Sequence, residues 1–124
     1  MYLPDTNIII RALYGHNEKD FLEAVFSQNK LMLSVIVVAE FLAGASKVDK
    51  SKFDKLLKGS EVVSIDQDVA IEASKYRKKY LRKSKRVFLL DCFLAAQAKV
   101  NNLTLVTNNT QDFPMKDIKI VAPK

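Results

Sequence analysis

One cysteine, one histidine, three glycines and three prolines in 124 residues set the first limits on this chain. With Cys92 alone no intrachain disulfide can form, which fits a reducing, cytoplasmic location. His16 has no companion at metal-ligand spacing and reads as a surface residue, so a zinc site of His and Cys ligands is excluded. No apolar run approaches the roughly 20 residues that span a bilayer. No basic segment followed by an apolar one marks a secretory signal at the N-terminus. The expectation is a protein without membrane association. The sparse Gly and Pro mark out no linker, repeat or low-complexity tract, so residues 1–124 read as a single domain. A chain of this length should bury roughly two-thirds of its unfolded surface without staples.

What the chain has in excess is positive charge, 20 Lys and Arg against 14 Asp and Glu, a net +6. The stretch from Lys75 to Arg86 carries eight basic residues and no acid. Such a surface favours a polyanion, because displaced phosphate counterions supply binding energy. A basic helix is also an ordinary solvated face.

Hydrophobic periodicity organises the rest. Tyr2 and Leu3 read as a very short buried strand, followed by a helix over Thr6 to Leu13 that Gly15 terminates in the left-handed region. A second helix covers Lys19 to Ser27, with Phe21, Leu22, Val25 and Phe26 inward. Leu31 to Leu33 is a strand, and Ser34 caps a helix to about Ala43. A helix over Val48 to Lys58 and a strand over Val62 to Ile65 follow. Asp66 caps a long helix to about Arg82, with Val69, Ala73, Tyr76 and Tyr80 facing the core. Lys75, Lys78, Lys79 and Arg82 form a stripe on its opposite side. Asp91 opens a helix to about Val100, Leu103 to Val106 is a strand, and Ile118 to Val121 is the last one. Strands alternating with helices predict an α/β fold with a parallel sheet wrapped by helices.

Four acids stand out against this frame. Asp5 follows the first strand at the carboxyl end, where open α/β sheets bind ligands; an N-cap role would also explain it. Glu40 is the only charge between Leu31 and Ser46, on the helix face of Ile36, Val37 and Phe41, so it reads as an acid held by the core. Asp91 is followed by small residues, and Asp112 lies in a polar loop after the fourth strand. Each pair of carboxylates about 4 Å apart costs about 4 kcal/mol at an effective dielectric of 20. If the four gather, a cation must join them. An all-oxygen donor set without His or Cys points to Mg2+ or Mn2+.

These stretches, Leu3-Pro-Asp-Thr-Asn-Ile8, Ser34-Val-Ile-Val-Val-Ala-Glu-Phe41, Asp91-Cys-Phe-Leu-Ala-Ala-Gln-Ala98 and Leu105-Val-Thr-Asn-Asn-Thr-Gln-Asp-Phe113, together resemble the PIN-domain ribonucleases, and within them the VapC-like toxins of toxin–antitoxin pairs. The resemblance covers essentially the whole chain. It implies a three-layer α/β/α fold with about five short parallel strands, and metal ligands at Asp5, Glu40, Asp91 and Asp112. Asn7, Thr107 and Asn109 match supporting polar positions. It further implies a Mg2+-dependent endoribonuclease that leaves a 5′-phosphate and a 3′-hydroxyl, with an RNA substrate (tRNA among the candidates), a homodimer, and an antitoxin whose C-terminal segment covers the acidic pocket. Lys78, Arg82, Lys85 and Arg86 are the candidate RNA contacts. One departure is Val87-Phe-Leu-Leu90, more apolar than the glycine-containing lead-in of many relatives.

Rival classes fit less well. A haloacid-dehalogenase-type phosphatase needs a second Asp two residues after the first, where this chain has Asn7. A phosphate-accepting receiver domain would need an acid pair near the first strand and a lysine after a late one. The remaining rival is a catalytically silent PIN domain that binds RNA or protein. An unused acidic cluster would only destabilise such a fold.

Overall fold

The protein is described by a computed structural model that covers residues 1–82 and 87–123. Among the described residues the order of elements is β1 (Tyr2–Pro4), α1 (Thr6–Leu13), α2 (Glu18–Ser27), β2 (Met32–Ser34), α3 (Val35–Gly44), α4 (Lys47–Lys58), β3 (Glu61–Val63), α5 (Gln67–Arg82), α6 (Leu89–Val100), β4 (Thr104–Val106), a 3-10 turn (Thr110–Asp112) and β5 (Lys119–Val121).

All strand pairs are parallel. Leu3 of β1 lies opposite Leu105 of β4, and Leu105 opposite Ile120 of β5. Leu33 of β2 lies opposite Val62 of β3. The three-stranded and two-stranded pieces join through a bridge between Tyr2 and Leu31, where the Tyr2 N–H donates to the Lys30 carbonyl at 2.8 Å. The spatial order is therefore β3-β2-β1-β4-β5, within a three-layer α/β/α arrangement. β1 is central, and the chain leaves its carboxyl end directly into α1.

Strands of three residues are short, so helix packing carries much of the fold. Leu3, Leu33 and Leu105 have no exposed surface and form the middle of the core. Ile9 and Ala12 of α1, Val37 and Phe41 of α3 and Phe53 of α4 close over them. Phe41 and Phe53 stack with ring centroids 4.3 Å apart. α5 packs along α6, where the small side chains of Ala95, Ala96 and Ala98 are buried. Tyr76 and Tyr80 are buried with Val69 and Ala73, as the helical period predicts. The Tyr76 hydroxyl donates to Asp117 at 2.8 Å, which fastens α5 to the segment before β5.

Caps sit where the sequence puts them. Ser34 accepts from the Ile36 N–H at 3.1 Å and Asp66 from the Val69 N–H at 2.9 Å. Gly15 has φ +81°, the left-handed conformation expected after α1. A Cβ at Gly59 would run into the Phe26 ring, so a larger residue there would have to push that ring aside.

Several boundaries differ from the sequence reading. β3 begins at Glu61 and ends at Val63, leaving Ser64 and Ile65 outside the ladder. α6 begins at Leu89 with Phe88 as N-cap, so Asp91 is its third residue and does not open it. The apolar lead-in thus contributes the first helical turn, which leaves Phe88, Leu89 and Leu90 exposed. Cys92 is fully buried, and burial pushes its thiol up to about 11. No described helix is long and apolar enough to cross a membrane.

Candidate active site

The parallel sheet delivers its loops to one end, and the four acids reach it from four elements. Asp5 is the N-cap of α1, immediately after β1. Glu40 comes from α3, Asp91 from the first turn of α6, and Asp112 from the 3-10 turn after β4. All four line one cleft of about 300 Å3, together with Thr6, Asn7 and Asn109. Ile36, Leu90, Leu94 and Phe113 form its apolar wall.

Asp5 holds both roles that the sequence leaves open. Its Oδ1 accepts the Ile8 N–H at 3.1 Å and caps α1. Its Oδ2 accepts the Thr107 hydroxyl at 2.5 Å. Burial raises the Asp5 carboxyl above its usual range, and the Thr107 and Ile8 bonds oppose that rise. Asp91 is pushed up to about 6, first by burial and then by the charges of Asp112, Asp5 and Glu40. The acids therefore feel one another.

Glu40 departs from expectation. It is exposed, and does not belong to the core face of α3. What orients it is the Thr6 hydroxyl, which donates to Glu40 Oε1 at 2.7 Å. Thr107 also differs, since it is fully buried and does not line the cleft. It stands behind Asp5, and its Oγ1 accepts the Asn109 N–H at 3.0 Å. Asn7 is exposed at the cleft.

Sequence reading missed three residues. Thr6 was visible only as the first residue of a helix. Glu18 is 4% exposed, and its Oε2 accepts from Arg11 Nε at 2.5 Å and from Asn108 Nδ2 at 2.6 Å. Arg11 and Asn108 together hold the Glu18 carboxyl below its usual range, against burial. This ties the loop of Thr107 and Asn109 to the start of α2. Gln97 is buried within α6; a lone amide in the apolar run Leu94–Ala98 was the available signal.

Can this donor set hold a cation? Among the described residues no group of three or more His, Cys, Asp or Glu side chains converges closely enough to ligate one ion directly. Direct ligation by all four acids is thus not what the side chains offer. Mg2+ characteristically keeps several waters and takes one or two carboxylates. Mutually repelling carboxylates around one polar cleft fit that mode.

Of the candidate RNA contacts, Lys78 is exposed, as are Lys75 and Lys79 on the same face of α5. Lys75 is loosely paired with Glu72 at 3.9 Å. Lys85 and Arg86, and the side chain of Arg82, lie outside the described residues.

Comparison with known proteins gives a consistent answer. The sequence pattern of the PIN domain matches residues 2–119. Ribonuclease VapC2 of Rickettsia felis is 31% identical over 120 residues, covering 91% of this chain and 90% of that protein. Ribonuclease VapC10 of Mycobacterium tuberculosis is 30% identical over 116 residues, covering 93% and 87%. Among solved structures, VapBC2 from Rickettsia felis bound to a promoter DNA fragment superposes with a TM-score of 0.85 at 26% identity, covering 98% of this chain and 97% of that one. A toxin–antitoxin complex from Klebsiella pneumoniae superposes with a TM-score of 0.83 at 29% identity, covering 100% and 98%.

Proposed function

This chain belongs to the PIN-domain family, and from that premise we propose that it is a Mg2+- or Mn2+-dependent endoribonuclease, the toxin of a toxin–antitoxin pair. The observation that carries the reading is the convergence of Asp5, Glu40, Asp91 and Asp112 on one cleft, where burial and the neighbouring acids push the Asp91 carboxyl up. A cleft built this way favours a divalent cation over being empty.

Asp5 and Asp91 would hold the cation, with Glu40 and Asp112 adding negative charge across the same cleft. A cation held there would supply a water of lowered pKa and neutralise charge on the scissile phosphate. Thr107 keeps Asp5 from turning, and Thr6 does the same for Glu40. Asn109 and Asn7 offer amides at the cleft to orient the attacking water or a phosphate oxygen. Attack in line on the phosphate leaves a 5′-phosphate and a 3′-hydroxyl. RNA affinity comes from outside the acids, with the Lys75, Lys78 and Lys79 face of α5 as the guiding surface, and Arg82, Lys85 and Arg86, which follow in sequence, as further candidates.

The partner reading rests on the structural neighbours, among them the toxin–antitoxin complex from Klebsiella pneumoniae. An acidic cleft in a basic protein suits an antitoxin that inserts an Arg or Lys near Asp5 and Asp91. A second groove between α1, α2 and α4 has an apolar floor of Ala12, Leu22, Phe26 and Leu56, rimmed by Lys52 and Lys55 and by Lys19, which pairs with Glu23 at 3.9 Å. It fits an amphipathic segment with acidic flanks. A homodimer completes the proposed assembly.

The test is incubation of the purified protein with total cellular RNA, with and without Mg2+, followed by mapping of new 5′ ends. Cleavage only with the metal, absent in folded Asp91→Asn, supports the reading. Undiminished cleavage in excess EDTA, or by that variant, refutes it. Folded wild-type protein that binds RNA but never cuts it would establish the silent binding module instead.

A further inference from the structure

Among the described residues, Gln97 is the only Asn or Gln side chain with no exposed surface. It lies in α6, six residues after Asp91. Its Nε2 donates to the carbonyls of Val63 at 3.0 Å and Ser64 at 3.2 Å, at the end of β3. Its Oε1 accepts the Ser34 hydroxyl at 2.5 Å. Ser34 ends β2 and, by accepting the Ile36 N–H at 3.1 Å, caps α3. α3 carries Glu40 six residues further on.

The polarity of this chain of bonds has one solution. Carbonyls only accept, so the amide nitrogen must face Val63 and Ser64. The amide oxygen then faces Ser34, whose hydroxyl must donate to it and use its lone pair for the Ile36 N–H. Every group is used, and the bonds from Ser34 to Gln97 and from Gln97 to Val63 are buried, while the Ser64 end lies toward the surface. The apolar packing that otherwise seats α6, at Ala95, Ala96 and Ala98, is non-directional and tolerates a small slide. A slide at Gln97 leaves buried donors and acceptors unpaired.

We infer that Gln97 and Ser34 are positioning residues for divalent-cation binding in the acidic cleft, because their buried hydrogen bond seats α6, which carries Asp91, against α3, which carries Glu40. This rests on the metal-dependent reading above. Neither residue lines the cleft, so both act through the helices they join.

The test is Mn2+ binding to the full chain at neutral pH, well below the melting temperature, read by the electron paramagnetic resonance of free Mn2+. Ser34→Ala and Gln97→Met should each raise the Mn2+ dissociation constant a few-fold, less than the roughly tenfold or more lost when a hydrogen bond made directly to a metal ligand is removed. The control is Ser46→Ala, which removes an exposed cap, to the Asp49 N–H at 3.2 Å, from α4, a helix without a cleft acid. It should lower the melting temperature, by less than Ser34→Ala, which also strands the buried Gln97 oxygen, and leave the dissociation constant unchanged. If Gln97→Met does not fold, the contrast between the two serine variants carries the test. Wild-type Mn2+ affinity in folded Ser34→Ala, with binding lost in Asp91→Asn, would overturn this inference and leave the metal reading standing. Equal, negligible binding by wild type and Asp91→Asn would overturn both.

Discussion

Thr107 Oγ1 donates to Asp5 Oδ2 at 2.5 Å across 102 residues of chain. The bond crosses from the end of β4 to the end of β1, neighbours in the sheet. It leaves Asp5 with one oxygen committed to capping α1 and the other to a buried hydroxyl. Thr107→Val keeps the shape and removes the donor. Asp5 should then rise further above the usual carboxylate range, since burial is no longer opposed by Thr107. We expect cleavage to fall about tenfold or more at limiting metal, with partial recovery at high metal. The measurement is initial rate against Mn2+ concentration; an unchanged curve would remove Thr107 from the site's support.

Asp91→Asn keeps the size and removes the charge. It should abolish cleavage and raise the melting temperature of metal-free protein by a few degrees. The ceiling on that gain is about 3 kcal/mol for a carboxyl moved from its ordinary value to about 6, reduced by the partial exposure of the group. A folded variant that melts lower than wild type in EDTA would contradict the repulsion.

The same shift predicts a pH dependence. Asp91 binds its proton more tightly folded than unfolded, so the folded state carries more protons between about 4 and about 6. Stability from this group falls as pH rises through that window and is level above it. Metal-free wild type should therefore lose more stability between pH 4 and pH 6 than Asp91→Asn does. Saturating Mn2+ should shrink the loss, because the cation favours the ionised form. Parallel melting curves for wild type and variant across the window would show that Asp91 does not titrate there.

RNA binding should be separable from cutting. Replacing Lys75, Lys78 and Lys79 by Ala should reduce the log–log salt slope of single-stranded RNA binding by about 0.7 for each phosphate no longer neutralised. Mn2+ affinity should not change. A second triple variant, with Arg82, Lys85 and Arg86 replaced, tests the part of the stripe nearest Asp91 in sequence. Unchanged slopes in both would assign the basic face to solubility.

Expression of this chain alone should arrest growth, and co-expression of its cognate antitoxin should relieve the arrest. The relief should weaken when Lys52 and Lys55, exposed on the rim of the groove between α1, α2 and α4, are replaced by Glu, while the variant's RNA cleavage persists. Harmless overexpression of active wild-type protein would speak against the toxin role.

Local chemistry made much of the architecture legible in advance. Apolar periods of two and 3.6, serine and aspartate at helix starts, and glycine where the chain must turn left-handed act within a few residues. They place α1 at Thr6–Leu13, the cap at Ser34 and the buried face of α5 without any tertiary information. The four acids were visible because a carboxylate at a strand end or in an apolar helix is conspicuous in one dimension. What only the tertiary structure decided was which groups meet. Glu40 faces the cleft from an exposed position because Thr6, 34 residues away, offers it a hydroxyl. Thr107 supports Asp5 from behind because β4 pairs with β1. In the apolar stretch before Asp91, Val87 alone enters the core, while Leu89 and Leu90 begin α6 at the surface. Hydrogen-bond partners far apart in sequence leave no periodic trace, since their pairing depends on where whole elements come to rest. The sequence determined which residue types could do chemistry, and the packing of parallel strands and helices decided which of them stand together.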